Sequence, residues 1–230
     1  KTYNVNGGRI MQKVVLSEVV DYLHKAYPDA SIGVGGSVAA GTYRADSDVD
    51  VLFQREDCRK SFLVSFFYKG IKVSIFSFSK DMLLRKERKY LLNYNNMPIS
   101  FISDVCSIHD EKDLITDLKY FVKDIVERRR ILKYILIDEL KTSIANLLQV
   151  KPSSLIDIKR ETYAVIDKMI CIFYLKFHAD RIVQKQEGRN PYWIIERDDD
   201  TLYKSLKECM PYNLETYERV NEIFKKYLRF

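Results

Sequence analysis

Apolar residues along the chain recur with two different spacings, and these predict which segments are helices and which are strands. Residues 10–27 have apolar positions at helical spacing, and Pro28 ends this first helix. The next apolar segments are short. They predict a buried strand at Ser31–Gly35, a helical turn at 37–43 and an alternating strand at 47–53. The first part of the chain therefore predicts the order helix, strand, turn, strand.

A β-hairpin is predicted next. Residues 61–68 and 71–78 are rich in β-branched and aromatic residues, and Lys69-Gly70 separates them as a two-residue turn. Ser79 is then placed to cap a helix over residues 80–94, and a short strand is predicted at 104–108. These elements complete a mixed sheet with flanking helices.

Helical spacing continues from Leu114 to the end of the chain. An unbroken helix over residues 114–149 would be about 54 Å long, so we expect a bend near 127–130. A capping box at Ser154 and Asp157 begins a helix that is apolar nearly all round over 163–183. Further helices are predicted at 201–208 and 214–228. The pattern predicts an α+β fold, with a mixed-sheet domain at residues 1–115 and an all-helical bundle at 116–230.

Composition narrows the class of protein. The chain has 230 residues, of which 47% are hydrophobic and 30% charged, as in ordinary globular domains. No apolar run approaches the length that spans a bilayer. The four cysteines are far apart, without a secretory signal, so we expect free, mostly buried thiols and a cytoplasmic location. The net charge of +6 is spread along the chain, which disfavours nucleic acid as a partner.

The candidate chemistry lies between the first two predicted strands. Gly36-Ser37 is followed by ten residues and then by Asp48-Val49-Asp50. Carboxylates at i and i+2 of a strand share a face and together can hold a divalent cation. The Gly-Ser turn leaves room for a polyphosphate to approach backbone N–H groups. Asp-x-Asp alone would better suit a solvated strand face, but the Gly-Ser at this distance reverses that preference and favours a site for metal and phosphate.

This stretch resembles the signature of the DNA polymerase β-like nucleotidyltransferase superfamily. Members of that superfamily transfer a nucleoside monophosphate from a nucleoside triphosphate to a hydroxyl or amine and release pyrophosphate. The residues that carry the resemblance are Gly36, Ser37, Ala39, Gly41, Ser47, Asp48, Asp50, Val51, Leu52 and Phe53.

The resemblance implies a role for each matching residue. Asp48 and Asp50 would bind Mg²⁺ or Mn²⁺, which bridges the phosphate oxygens. Gly36 would permit close approach of the phosphates, and Ser37 would bind them. Arg44 could contact phosphate, although a surface arginine is the alternative.

One feature departs from the superfamily. Its members carry a third carboxylate on the second hairpin strand, and the matching position here is Ser74. Residues 58–80 contain no Asp or Glu, so a shift of register does not supply one. Lys72 shares the face of Ser74 and would place a positive charge near the phosphates. A replacement acid would have to come from the helical half or from Glu56, Asp57, Asp104 or Asp110, the last of which better suits a helix cap.

Two functions follow from this resemblance. The first is transfer of a nucleoside monophosphate, with ATP as the default donor and Mg²⁺ as cofactor, to a small-molecule or protein acceptor. The alternative is a catalytically impaired member that binds nucleotide or a partner in a regulatory role, because Ser74 replaces the third acid. A nucleic-acid adaptor is a third, weaker hypothesis.

The helical half would face the acceptor, as in aminoglycoside nucleotidyltransferases. Within it, residues 189–198 combine aromatic and charged side chains in a predicted loop that suits ligand contact. Burial of the only tryptophan, Trp193, against the bundle is the alternative.

Overall fold

A computed structural model describes residues 5–149, 152–183, 192–209 and 213–227, with no account of the side chains of 5–10, 193, 194, 214 and 227. The chain divides into two compact units. The first comprises the described residues up to Glu87 together with Met97–Asp124, and the second comprises Arg88–Asn96 together with the described residues from Ile125 onward. The boundary between the units therefore lies after Asp124 rather than at the predicted residue 115. In addition, Arg88–Asn96 belongs to the second unit although it precedes this boundary in the sequence.

The first unit contains a five-stranded mixed sheet. Its strand order is β3-β4-β2-β1-β5, with β2 parallel to β4 and the other neighbours antiparallel. The strands are β1 (Ser31–Gly35), β2 (Val49–Gln54), β3 (Phe62–Tyr68), β4 (Ile71–Ser77) and β5 (Cys106–His109). The helices that accompany them are α1 (Val5–Ala26), α2 (Gly36–Ala39), α3 (Lys80–Arg85), α4 (Glu87–Leu92) and α5 (Met97–Asp104), with α4 largely in the second unit.

Helix α1 covers one face of this sheet. Alternation along β2 turns Val49, Val51 and Phe53 toward that helix, where they join a buried cluster with residues of α1 such as Val15 and Val19. The same alternation turns Asp50 to the opposite face. The core on the α1 side therefore determines which face of the sheet carries the candidate site.

The hairpin of β3 and β4 forms as predicted. Lys69 and Gly70 both have positive φ, at 49° and 78°, which is the geometry of a type I′ turn whose twist matches that of the paired strands. The register continues without interruption from the turn to the pair of Phe62 with Ser77. The strand predicted at Ser31–Gly35 is present with those bounds, and the strand of Asp50, predicted at 47–53, is present as Val49–Gln54.

Three predictions in the segment after the hairpin were wrong in detail. The helix predicted over 80–94 is two short helices, α3 and α4, and the Ser79 side chain makes no capping hydrogen bond although the residue stands at the N-cap position. Residues 97–104 form helix α5, which the sequence pattern did not predict. Because α5 extends to Asp104, the following strand begins at Cys106 rather than at Asp104.

Long helices dominate the second unit. They are α6 (Leu114–Gln149), whose first part belongs to the first unit, α7 (Leu155–His178), α8 (Tyr192–Asp198), α9 (Asp200–Lys207) and α10 (Leu214–Tyr227). Helix α6 is continuous through residues 127–130, where a bend was expected. The N-cap hydrogen bond of the predicted capping box is present: Ser154 Oγ accepts a hydrogen bond of 3.1 Å from the Asp157 N–H. Helix α7 is buried continuously from Met169 to Leu175, as its apolar circumference predicts, whereas most residues of 155–160 are exposed. It ends at His178, short of the predicted residue 183.

The α+β class is confirmed by this arrangement of a mixed sheet followed by helices. The cysteines are free, but only Cys171 and Cys209 are buried, whereas Cys106 is exposed, so the expectation of mostly buried thiols was half right. No described helix is both long and apolar enough to cross a bilayer.

Candidate functional site

Strand pairing places Asp50 at the centre of the candidate site. In the register of the sheet, Asp50 lies opposite Gly35 on β1 and opposite Ser74 on β4. Directly paired residues turn their side chains to the same face, so the Ser74 hydroxyl lies beside the Asp50 carboxylate. Both side chains are buried, with 8% and 4% of their residue surfaces exposed. The residue predicted to stand in place of the third acid is therefore the immediate neighbour of Asp50.

The row of paired residues continues to the edge of the sheet. Ser65 of β3 is paired with Ser74, and their hydroxyl oxygens are 3.0 Å apart. Ser65 is itself exposed. Sequence reasoning did not single it out, because a serine in an otherwise apolar strand carries no signal of its own. Where the superfamily has its third carboxylate, this chain therefore has two hydrogen-bonded hydroxyl groups, those of Ser65 and Ser74.

Gly36 brings the main chain against the Asp50 carboxylate. A Cβ added at Gly36 would lie 2.6 Å from Asp50 Oδ2, so a side chain here would require the carboxylate to move. Its φ of +63° is in the left-handed region that favours glycine. The site therefore needs glycine here for two independent reasons, namely its backbone conformation and the room that it leaves for a carboxylate.

Gly35 is constrained from another side. A Cβ at this position would meet the ring of Phe101 on α5 at 2.4 Å. The Phe101 ring also packs on Phe76 of β4, with ring centroids 4.5 Å apart. Helix α5, which the pattern did not predict, thus supplies an aromatic residue that covers the strand just before the Gly-Ser turn.

Asp48 immediately precedes β2 and is half-buried. Extending the parallel register of Val49 with Val73 by one residue places Asp48 level with Lys72. The Lys72 side chain is exposed, and alternation places it on the same face as Ser74. A cationic group thus shares the face that carries both aspartates.

The remaining predicted residues lie in and after α2. Ser37 is half-buried in α2, whereas Arg44 is exposed in the loop that leads to Asp48. The Arg44 N–H donates to Ser47 Oγ over 2.8 Å, which closes this loop on itself. The backbone of Arg44 therefore has a structural role that is independent of its guanidinium group.

Gln12 holds this loop from α1. The side chain is fully buried, and its Nε2 donates to the carbonyl oxygens of Arg44 at 3.0 Å, Ala45 at 2.9 Å and Ser47 at 3.3 Å. A buried amide needs hydrogen-bond partners, and these three carbonyls supply them, so Gln12 fixes the chain just before Asp48. Sequence reasoning missed Gln12, because a single polar residue in a helical pattern is usually solvated.

Among the residues that the structure describes, no other acid completes the site. The described residues contain no group of three or more His, Cys, Asp or Glu side chains placed to hold a metal ion. Among the candidates, Glu56 lies near Lys112, Asp57 near Arg55, and Asp104 accepts from Ser103. Neither hairpin strand contributes a carboxylate, so within the described part of the chain Asp48 and Asp50 stand without a third acid.

Asp110 has the capping role that was predicted for it. Its carboxylate accepts hydrogen bonds of 2.9 Å from the N–H groups of Ile115 and Thr116 in the first turn of α6. Burial would raise the pKa of Asp110, but these hydrogen bonds to the charged form hold the pKa below its usual value.

The second unit holds a buried arginine that sequence reasoning also missed. Arg129 is 2% exposed and donates to the carbonyl oxygen of Tyr90 at 2.8 Å, to that of Arg181 at 3.2 Å and to Tyr174 Oη at 3.2 Å. Burial lowers the pKa of its guanidinium. These contacts join three segments within the second unit.

The expected ligand loop of the second unit is only partly described. Tyr192–Asp198 is helix α8 rather than a loop, which corrects that part of the prediction. Residues 189–191 and the side chain of Trp193 lie outside the description.

Residues 16–132 match the family model of the nucleotidyltransferase domain. This match spans half of the chain, so the protein belongs to that polymerase β-like family. No curated protein matches the chain.

Among solved structures, the chain is similar to a nucleotidyltransferase-like protein from Exiguobacterium sibiricum 255-15. The TM-score is 0.53 at 15% identity, and the similarity covers 94% of this chain and 72% of that one. At this identity the likeness supports the fold alone.

Proposed function

We propose that the chain binds a nucleoside triphosphate with a divalent cation and transfers the nucleoside monophosphate to a small-molecule or protein acceptor, with ATP as the default donor. The observation that carries this proposal is the approach of the Asp50 carboxylate to Gly36, where an added Cβ would lie 2.6 Å from Asp50 Oδ2. It brings a turn able to receive phosphate against an acid able to hold a cation, in a chain of the nucleotidyltransferase family.

The available oxygens suit a magnesium ion. Mg²⁺ is commonly held by one or two protein carboxylates together with substrate phosphates, and Asp48 and Asp50 provide such a pair. When bound, the ion would neutralise charge on the triphosphate and on the transferring phosphoryl group. Mn²⁺ would suit the same oxygen ligands.

The chain's own groups would position the nucleotide. Gly36 leaves the backbone open to a phosphate, and Ser37 offers a hydroxyl beside it. Lys72 lies level with Asp48, where its ammonium group would attract the triphosphate. Arg44 is exposed and could reach a phosphate as well. Gln12 would act indirectly, because it holds the loop that precedes Asp48.

Ser74 favours a second candidate function, which is nucleotide binding without turnover in a regulatory role. In the superfamily the third acid helps to hold the catalytic metal and to deprotonate the attacking group. A serine hydroxyl supplies neither negative charge nor a general base at neutral pH. The pair of Ser65 and Ser74 would then leave a site that holds one ion and the nucleotide.

Two variants at position 74 distinguish these functions. Ser74→Asp places a carboxylate beside Asp50, and Ser74→Asn is the matched control of similar size without the charge. Binding of Mn²⁺ with a non-hydrolysable ATP analogue is followed by electron paramagnetic resonance. Pyrophosphate release is followed with labelled nucleoside triphosphates and panels of acceptors.

If the chain is a transferase, the natural chain should release pyrophosphate, and Asp48→Asn and Asp50→Asn should each abolish that release. Nucleotide binding without release, with Ser74→Asp but not Ser74→Asn gaining both metal affinity and release, would instead establish the second candidate. Absence of cation-dependent nucleotide binding in the natural chain would overturn both.

A further inference from the structure

Strand β3 forms one edge of the sheet. In the strand order it is the terminal member next to β4, and among the described strands only β4 pairs with it. An edge strand presents a row of backbone N–H and C=O groups that can pair with another strand. Proteins usually protect such edges with charges, prolines, bulges or a covering element.

None of these protective features is present within β3. Residues 62–68 contain no charged residue and no proline, and their pairing with β4 shows no bulge. Every residue of the strand is exposed. The large apolar side chains and their exposed fractions are Phe62 38%, Leu63 57%, Val64 51%, Phe66 39%, Phe67 76% and Tyr68 39%.

The strand is complementary to itself when two copies run antiparallel. Centring the pairing on Ser65 aligns all seven residues. Phe62 then faces Tyr68 of the other copy, an aromatic pair, while Leu63 faces Phe67 and Val64 faces Phe66. Pairs of aromatic with aromatic residues and of aromatic with β-branched residues, as in Phe62–Tyr68 and Val64–Phe66, are among those that stabilise antiparallel sheets. Because the strand carries no charge, a copy of itself meets no like-charge repulsion.

The exposed apolar area also approaches what a specific dimer needs. At roughly 200 Å² for each large side chain, the exposed fractions of β3 amount to about 600 Å² in each copy. This exposed area totals about 1,200 Å² over two copies, so its complete burial would reach the lower limit of specific interfaces. A neighbouring apolar groove of about 290 Å³, lined by Tyr22 of α1 and by Phe66 and Tyr68, extends this surface on the α1 side.

We propose that β3 is a homodimer interface, in which two copies of the chain pair their β3 strands antiparallel about Ser65 and form one continuous sheet. The two-fold axis is perpendicular to that sheet, so the faces that carry Asp50 in the two copies lie on the same side. Five strand spacings separate the two aspartates, which is about 24 Å. The paired serines beside Asp50 then continue across the interface in a single row.

A charge reversal across the predicted register tests this pairing. Leu63 and Phe67 are exposed and face each other between copies, whereas within one copy they are four residues apart. The double variant Leu63→Lys/Phe67→Lys places like charges opposite each other at two symmetric positions. The double variant Leu63→Lys/Phe67→Glu places opposite charges there. Tyr134→Lys is the control, because it changes an aromatic residue of α6 that is 70% exposed and lies outside the strand.

Sedimentation velocity over a range of protein concentrations measures the dimer. The natural chain and Tyr134→Lys are expected to dimerise alike, and the Lys/Lys variant is expected to weaken the dimer by at least about 100-fold. The Lys/Glu variant is expected to recover a large part of that loss, in a salt-dependent manner. Circular dichroism checks that each variant is folded.

If the natural chain stays monomeric at high concentration, the homodimer proposal is overturned. The β3 edge would then be available for pairing with a strand of another protein. Equal weakening in both double variants, without recovery, overturns the register centred on Ser65.

Discussion

At the scale of single residues, the candidate site is determined by which small side chains stand next to Asp50. Gly36 and the acids of Asp48-x-Asp50 were predicted from the sequence, because their spacing is a local property of the chain. Ser65 and Gln12 were not predicted, since Ser65 joins the site through pairing of β3 with β4 and Gln12 through hydrogen bonds from α1 to the loop before Asp48. Such contacts join residues far apart in sequence and leave no local signal.

Gly36 and Gly41 have similar backbone angles, so comparing alanine variants of the two distinguishes the effect of backbone strain from the effect of a side chain placed against Asp50. Gly36 and Gly41 have φ of +63° and +69°, but a Cβ at Gly41 would meet nothing within 4 Å, whereas one at Gly36 would meet Asp50. Gly36→Ala and Gly41→Ala should therefore each lose about 1 kcal/mol of unfolding free energy through backbone strain. Gly36→Ala should also displace the carboxylate and weaken binding of magnesium and ATP by at least about tenfold.

Urea unfolding measures the stability of the two variants, and titration calorimetry measures their affinity for nucleotide. Equal affinities in Gly36→Ala and Gly41→Ala would show that the space beside Asp50 is not used by the ligand.

At the scale of elements, the features that depend on neighbouring residues in the sequence were predicted, whereas those that depend on packing were not. Asp110 was predicted to cap a helix because an acid precedes a helical pattern by a few residues, and its hydrogen bonds to the N–H groups of Ile115 and Thr116 confirm this. The hairpin turn at Lys69-Gly70 was predictable for the same reason. Helix α5 was not, because its short apolar stretch does not distinguish a helix from a strand until it packs.

The cap makes stability depend on pH in a definite direction. The pKa of Asp110 is lower in the folded protein than its ordinary value of about 3.9. A carboxylate of this kind stabilises the fold above its unfolded pKa, and that contribution is lost as the pH falls through the folded pKa. Asp110→Ala should therefore cost about 1–2 kcal/mol at pH 7, and the difference from the natural chain should shrink below about pH 4.

Asp104→Ala is the matched control, because Asp104 is exposed and its carboxylate accepts only from the adjacent Ser103 among the hydrogen bonds described. It should change stability by less than about 0.5 kcal/mol at either pH. Chemical unfolding at pH 7 and pH 3 tests both variants, and a deficit of Asp110→Ala that grows in acid would contradict the capping role.

At the scale of the whole molecule, the two compact units do not follow the order of the chain. The change from mixed to purely helical spacing predicted an α+β domain followed by a helical one, and the order of elements agrees with it. Periodicity could not reveal that the start of α6 belongs to the first unit, nor that residues 88–96 belong to the second. Which unit a helical segment joins depends on its packing partners, and helical spacing carries no information about them.

Arg129 tests whether the two units contribute separately to stability and to nucleotide binding. It joins segments of the second unit through the carbonyl oxygens of Tyr90 and Arg181, whereas Gly36, Asp48 and Asp50 all belong to the first unit. Arg129→Lys keeps a positive charge but cannot reproduce the planar set of donors, so at least one buried carbonyl loses its partner. We expect unfolding free energy to fall by about 2–3 kcal/mol, with nucleotide affinity unchanged when it is measured well below the unfolding midpoint. Thermal unfolding and calorimetry measure the two quantities, with Lys133→Arg, a half-buried lysine on the same helix, as control. A tenfold loss of affinity in folded Arg129→Lys would mean that the helical unit takes part in holding the nucleotide.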